Sequence, residues 1–195
     1  MRTRQSTRTR TSLSARGKRF VIIASRFHPV LAHSLIRGAT SVLRRSGTSS
    51  SSIRLLWVPG AFELPVVAAR LTRQHPRPDA IIALGALIRG DTPQYSVLAR
   101  AVAHGLTQVA VTTGIPVTFG VIIADTLAQA RERAGLGLRP PRPASCQSRG
   151  GRHGLRRSRL RRGAPARPPA VCNRGEEAAR AALDVLRLFQ TLESC

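Results

Sequence analysis

The sequence predicts an α/β protein, a three-layer sandwich with a four-stranded parallel sheet flanked by helices. Three observations predict it. Four short apolar runs rich in β-branched residues begin at Phe20, Ile53, Ala80 and Val117. A segment with apolar residues at helical spacing follows each run. The first run, Phe20–Ala24, is apolar throughout, which suits a strand buried on both faces. Strands that alternate with helices form parallel sheets joined by right-handed crossovers, with helices on both faces.

The elements follow in order. Residues 1–17 lack periodicity and read as a disordered basic tail. Their Arg, Ser and Thr content also resembles a transit peptide. After the Phe20–Ala24 strand, Leu31, Leu35, Ala39, Val42 and Leu43 mark a helix over Val30–Ser46, with Gly47 as its stop. Thr48–Ser52 is a polar linker. Ile53–Val58 is a strand broken by Pro59-Gly60, and Ala61–Arg73 is a helix with Leu64, Val67, Ala68 and Leu71 on one stripe. Ala80–Leu87 is the third strand, Pro93–Thr113 a long helix stopped by Gly114, and Val117–Ile123 the fourth strand. Asp125 is placed to cap a helix through Ala134, and Glu176–Leu192 is the last helix. Residues 136–172 break the pattern. They are rich in Arg, Pro, Gly, Ser and Ala and have no apolar face, so disorder is expected there. The expected organisation is a tail at 1–17 and one domain at 18–195, interrupted by an insertion at 136–172.

Charge is the most unusual bulk property. The formal net charge is +23, and its distribution is uneven. Residues 1–19 hold seven Lys and Arg and residues 136–172 hold ten, neither with an acid, so these two segments carry seventeen of the excess. Basic composition alone points to nucleic acid. Its concentration in two appendages leaves the domain free for other work. Cys146, Cys172 and Cys195 have neither zinc nor C-x-x-C spacing, so neither a metal site nor a disulfide framework is expected. No run of 18 apolar residues exists, and no apolar h-region follows the basic N-terminus.

Ligands of parallel α/β sheets bind beyond the carboxyl ends of the strands. Four segments lie there: Ser25–His28, Pro59–Glu63, Ile88–Gln94 and Ala124–Thr126. The third carries the clearest chemistry. Thr92 can cap the following helix, Pro93 suits its first turn, and Gly90 lets backbone approach a ligand. Free amides at a helix N-terminus attract an anion such as phosphate. A plain helix cap is the simpler account of these residues.

Together these pieces resemble the lumazine synthases, riboflavin-pathway enzymes that make 6,7-dimethyl-8-ribityllumazine. The matching stretches are Arg26-Phe27, VPGAFELP (58–65), ALGALIRGDTP (83–93), GIPVTFGV (114–121), Asp125-Thr126, ERAG (132–135) and NRG (173–175). The resemblance covers roughly residues 18–135 and 173–192 and implies a flavodoxin-like fold. It also implies a transferase that condenses 5-amino-6-(D-ribitylamino)uracil with 3,4-dihydroxy-2-butanone 4-phosphate without cofactor or metal. The implied assembly is a cytoplasmic homo-oligomer, a pentamer or a sixty-subunit capsid, with sites between subunits. By resemblance, Phe27 stacks on the pyrimidine, Ala61, Phe62 and Glu63 bind its ring and ribityl chain, and Leu87 and Ile88 line the pocket. Asp91 and Thr92 hold phosphate, while Phe119 and Arg133 come from a neighbouring subunit, Arg133 pairing with the phosphate. Without the resemblance, Phe27, Phe62 and Phe119 read as core aromatics, Glu63 as a first-turn acid and Arg133 as a solvated last-turn cation.

The sequence departs from the family twice. Gln94 stands where the family usually has a proton-transferring histidine, and glutamine does not titrate near neutral pH. Activity is expected to be reduced, unless His28 beside Phe27 supplies the proton transfer. His28 reads equally as a surface residue. The family's short, lysine-bearing link between its last helices is here Leu136–Cys172, with Arg174 in place of one lysine. The residue types of 136–172 are those of GC-rich codons, which suggests an out-of-frame stretch between two compensating shifts; a genuine basic insertion is the rival. Two other functions compete with the enzyme: a nucleic-acid binder using the basic arms, and a catalytically weak shell protein. The arms contain no Phe, Trp or Tyr for stacking on bases.

Overall fold

The computed structural model describes residues 15–137 and 173–193. The elements run β1 (Phe20–Ser25), α1 (Pro29–Arg45), a 3₁₀ turn (Ser50–Ser52), β2 (Ile53–Val58), α2 (Leu64–Leu71), β3 (Ala80–Ile88), α3 (Gln94–Thr113), β4 (Val117–Ala124), α4 (Leu127–Arg133) and α5 (Arg174–Glu193). The four strands are all parallel, in the order β2-β1-β3-β4. Strand alternation sorts the core into two halves. Phe20, Ile22, Ala24, Ile82 and Leu84 pack with α1, α4 and α5 on one face. Val21, Ile23, Ile81, Ala83 and Val121 pack with α2 and α3 on the other. This is the three-layer, flavodoxin-like sandwich that the alternating runs predict.

The chain reverses its direction of travel across the sheet between β1 and β3, the strands whose carboxyl ends flank the crevice of such folds. Ala24 pairs with Leu84, so Ser25 ends β1 level with Gly85, while β3 runs on to Ile88 and carries the loop 89–93 beyond the loop 26–28.

Several boundaries differ from the sequence expectation. Residues 61–63 form a turn rather than the start of α2: Leu64 N–H donates to the Ala61 carbonyl, and the Glu63 carboxylate accepts Gly60 N–H at 2.7 Å. Pro65, which has no N–H to offer, then fits the first turn of α2. Pro93, not Thr92, is the cap residue of α3, and it has no side-chain capping bond. Thr126, not Asp125, caps α4. Its hydroxyl accepts Gln129 N–H, while the Gln129 side chain accepts Thr126 N–H, a reciprocal box. Gly114 ends α3 with φ of 69°, as its stop position requires.

Residues 15–17 and 136–137, at the margins of the two patternless segments, are among the described residues. Ala15 is buried in the core and its N–H donates to Ser46 carbonyl at 2.7 Å. Leu136 packs against the same core half, with its N–H on the Arg131 carbonyl. The remainder of those expectations, residues 1–14 and 138–172, and all three cysteines lie outside the described residues. The last helix begins two residues earlier than its apolar pattern, because Asn173 caps it. The Asn173 side-chain oxygen accepts the N–H groups of Gly175 (2.9 Å) and Glu176 (3.3 Å).

Asn173 also does the work of a clamp. Its amide group donates to the Ser34 carbonyl of α1 at 3.1 Å and to the Ala134 carbonyl after α4 at 2.8 Å. Next to it, a Cβ on Gly175 would collide with the Leu35 carbonyl, so only glycine lets α5 lie this close to α1. No described helix is long and apolar enough to cross a membrane.

Candidate active site

The sequence-predicted residues fall into two groups. The first forms an open shelf over the carboxyl ends of β1, β2 and β3. Backbone bonds fix it: Arg26 N–H donates to the Val58 carbonyl at 2.9 Å, and Phe27 N–H to the Ser25 hydroxyl at 3.3 Å. At Gly85, inside β3, a Cβ would stand 3.2 Å from Ser25 Cβ and 3.9 Å from Ala61 Cβ, so the end of β1 and the turn after β2 meet there. Phe27 and Phe62 project from this shelf with exposures of 74% and 61%. Neither is the core aromatic that composition alone suggests, and two bare phenyl rings at a strand-end crevice mark a binding surface. Ala61 is buried beneath them, Glu63 is half-buried, and Leu87 and Ile88 are half-buried at the end of β3.

Gly90, Asp91, Thr92, Pro93 and Gln94 lie exposed at the start of α3. A Cβ on Gly90 would meet no atom within 4 Å. The protein itself therefore places no steric demand for glycine there, and the space beside it is open. The amides of the first turn of this 20-residue helix carry the partial positive charge of the helix terminus.

His28 is half-buried, and burial lowers its imidazole below the usual value of 6.5. Its ring meets Phe27 edge-on with centroids 5.0 Å apart. Gln94 is the first residue of α3 and is exposed.

The second group lies elsewhere. Phe119 pairs in register with Ala83, four residues before Leu87 on β3, which puts it roughly 13 Å down the strand from Leu87. Phe119 and Arg133 line a groove of about 460 Å³ along the open edge of β4, together with Gln129, Glu132 and Arg174. None of Phe27, Ala61, Phe62, Glu63, Asp91 or Thr92 lines that groove. Within one chain the two groups are thus separate, two candidate half-sites.

Three features of the second half-site escaped the sequence reading. The Glu177 carboxylate lies 2.7 Å from Arg174 and 3.8 Å from Arg133, so one acid holds two guanidiniums on the groove. Tyr95 O–H donates to Asp125 at 3.1 Å, tying α3 to the turn before α4. Asn173 sets where Arg174 begins α5. Only the start of that network had a sequence signal, the resumed NRG pattern. Among the described residues no group of three His, Cys, Asp or Glu side chains is placed to hold a metal.

With this geometry in view, similarity to known proteins becomes decisive. Residues 17–190 match the 6,7-dimethyl-8-ribityllumazine synthase family. The chain belongs to that family. It is 49% identical over 126 residues to the 6,7-dimethyl-8-ribityllumazine synthase of Chlorobium phaeobacteroides, covering 64% of this chain and 79% of that one. Similar proteins of the same name occur in Leuconostoc mesenteroides (42% over 118 residues, 60% and 75% covered) and Desulfosudis oleivorans (44% over 123 residues, 63% and 78% covered). The strand-end shelf and the β4-edge groove both lie within the residues that match the lumazine synthase family.

Proposed function

We propose that this chain is a transferase of riboflavin biosynthesis. It condenses 5-amino-6-(D-ribitylamino)uracil with 3,4-dihydroxy-2-butanone 4-phosphate to 6,7-dimethyl-8-ribityllumazine, releasing phosphate and water. Family membership over residues 17–190 carries the reading. The reaction needs two substrates held together more than it needs a strong acid or base, and proximity alone supplies a large part of such a barrier. The pyrimidine amine attacks the ketone, water leaves as the imine forms, phosphate departs, and ring closure expels a second water.

On this reading the shelf takes the pyrimidine. Phe27 stacks on its ring, and Ala61, Phe62 and Glu63 hold the ring and ribityl chain against Leu87 and Ile88. The butanone phosphate sits over Gly90, with its anion on the amides of Asp91 and Thr92 and on the Thr92 hydroxyl. Arg133, aided by Arg174, binds the same phosphate from a neighbouring subunit, and Phe119 closes the pyrimidine side. The separation of the two half-sites within one chain supports this sharing, because each copy offers what the other lacks. The assembly is a homo-oligomer, a pentamer or a sixty-subunit shell, working in the cytoplasm, and residues 18–195 act as one interrupted domain.

Gln94 cannot transfer a proton, so His28, in ring contact with Phe27, takes that role. Purified chain mixed with both substrates should form lumazine, followed by its absorbance, with the active fraction eluting as an oligomer on sizing. Binding of a substrate analogue without turnover would instead establish a catalytically weak shell protein.

A further inference from the structure

The folded domain is electrically polarised along the strands. Its amino-terminal strand end, opposite the shelf, collects cations from separate elements. Arg16, Lys18 and Arg19 lie just before β1, Arg44 and Arg45 end α1, and Arg54 opens β2. Arg70, Arg73 and Arg77 surround the end of α2 and the approach to β3.

Direct contacts hold these segments together. Ala15 bonds Ser46, Lys18 and Arg19 pair with Asp79, and Arg54 donates to Gln74 at 3.3 Å. A cleft of about 270 Å³ at this end is lined by Lys18, Arg19 and Arg77 beside Phe189 and Glu193 of α5. Asp79 is already shared by two of the cations, and the neutral partners of Arg45 and Arg54 orient their guanidiniums without cancelling charge. Arg16, Arg44, Arg70, Arg73 and Arg77 are exposed and form no ion pair among the described residues.

Such an array repels itself, and an anion that spans it relieves that repulsion. A small anion would engage one or two of these side chains. A polymer with regularly spaced phosphates engages many at once and gains from releasing its counterions.

We propose that this end of the domain is a docking surface for single-stranded RNA, bound through its phosphate backbone without base specificity. The surface is separate from the shelf and the β4-edge groove, so the proposal stands independently of the reaction. It also differs from binding by the basic arms, because it rests on folded residues.

The test compares two full-length variants that lose equal charge. R44Q/R73Q/R77Q alters the basic end, and R100Q/R131Q/R180Q alters exposed arginines elsewhere on α3, α4 and α5. Fluorescence anisotropy of a labelled single-stranded RNA is titrated with each across a salt series, and circular dichroism checks that each is folded. The basic-end variant should bind roughly tenfold or more weakly at moderate salt, and its log K against log salt slope should be shallower by about 2. The second variant should change affinity far less. Equal weakening by both variants, no change in the first, or binding to anionic phosphatidylglycerol vesicles but not to RNA would each overturn the proposal. Lumazine formation should persist in the basic-end variant, since none of its positions touches either half-site.

Discussion

Replacing Asn173 with alanine should destabilise the chain and loosen its phosphate side together. The native side chain makes four hydrogen bonds: two to carbonyls of α1 and the α4 terminus, and two from the opening amides of α5. Each net bond contributes about 1 kcal/mol, and loss of an N-cap alone costs about that much. The weakest, at 3.3 Å to Glu176, counts for less. The total loss is therefore about 3 kcal/mol, a large share of the roughly 5–15 kcal/mol of a typical domain. For a chain of this size that is a fall of roughly 6–12 °C in melting temperature. Thermal melts at one fixed protein concentration read it. Asn173→Asp separates the two roles. It keeps the acceptor for the helix amides but turns a carboxylate onto the Ser34 and Ala134 carbonyls, so it should be no more stable than the alanine variant. A melt within about 2 °C of the parent for Asn173→Ala, or full stability in Asn173→Asp, would refute the clamp. Because Arg174 follows directly, both variants should also raise KM for the butanone phosphate more than KM for the pyrimidine.

Further outcomes follow from the half-sites. Gln94→His should raise kcat at least tenfold toward the roughly 10²–10⁴-fold range of acid–base assistance, and no change would remove the proton-transfer argument. Burial holds the His28 imidazole below 6.5, so the folded chain binds this proton more weakly than the unfolded chain. The neutral ring therefore persists at pH 7, and its contribution to stability is lost as pH falls from 6.5 through the folded value; on the role proposed for His28, kcat falls over the same range. His28→Gln should erase that limb of the kcat profile. Arg133→Lys keeps charge but loses the bidentate fork, and should raise KM for the phosphate substrate while leaving pyrimidine KM near the parent value. Glu177→Gln should do the same more weakly, because it frees both guanidiniums from a common carboxylate. Intact mass of purified protein, set beside a resequenced gene, decides whether residues 136–172 are translated as written or arise from two compensating frameshifts.

Much of the fold was legible because it depends on local period. Ile22, Ile82 and Leu84 announce buried strands, and Leu31, Leu35 and Val42 announce the inner face of α1. Caps were less legible because neighbouring residues offer the same chemistry. Thr92 and Asp125 are both able caps, yet Pro93 already adopts near-helical angles at the start of α3, and Gln129 completes a box only with Thr126. The shelf residues came from motif resemblance. Periodicity alone would have buried Phe27 and Phe62, because nothing local distinguishes a core phenylalanine from one that a ligand must cover.

The β4-edge groove was the least legible part, and the reason is topological. Arg133 and Arg174 are adjacent in space only because α5 lies against α1 and the end of α4. That placement depends on a glycine at 175, on small residues at Ala178, Ala179 and Ala182, and on one asparagine side chain. The same contacts explain how a long connection between α4 and α5 is compatible with the site. Lengthening a connection costs only about 0.6 kcal/mol per doubling. The four bonds at Asn173, together about 3 kcal/mol, outweigh several doublings. Both ends of the interruption are thus fixed by the folded core at Ala134 and Asn173, and the geometry of Arg133, Glu177 and Arg174 is decided there, whatever length of chain joins them.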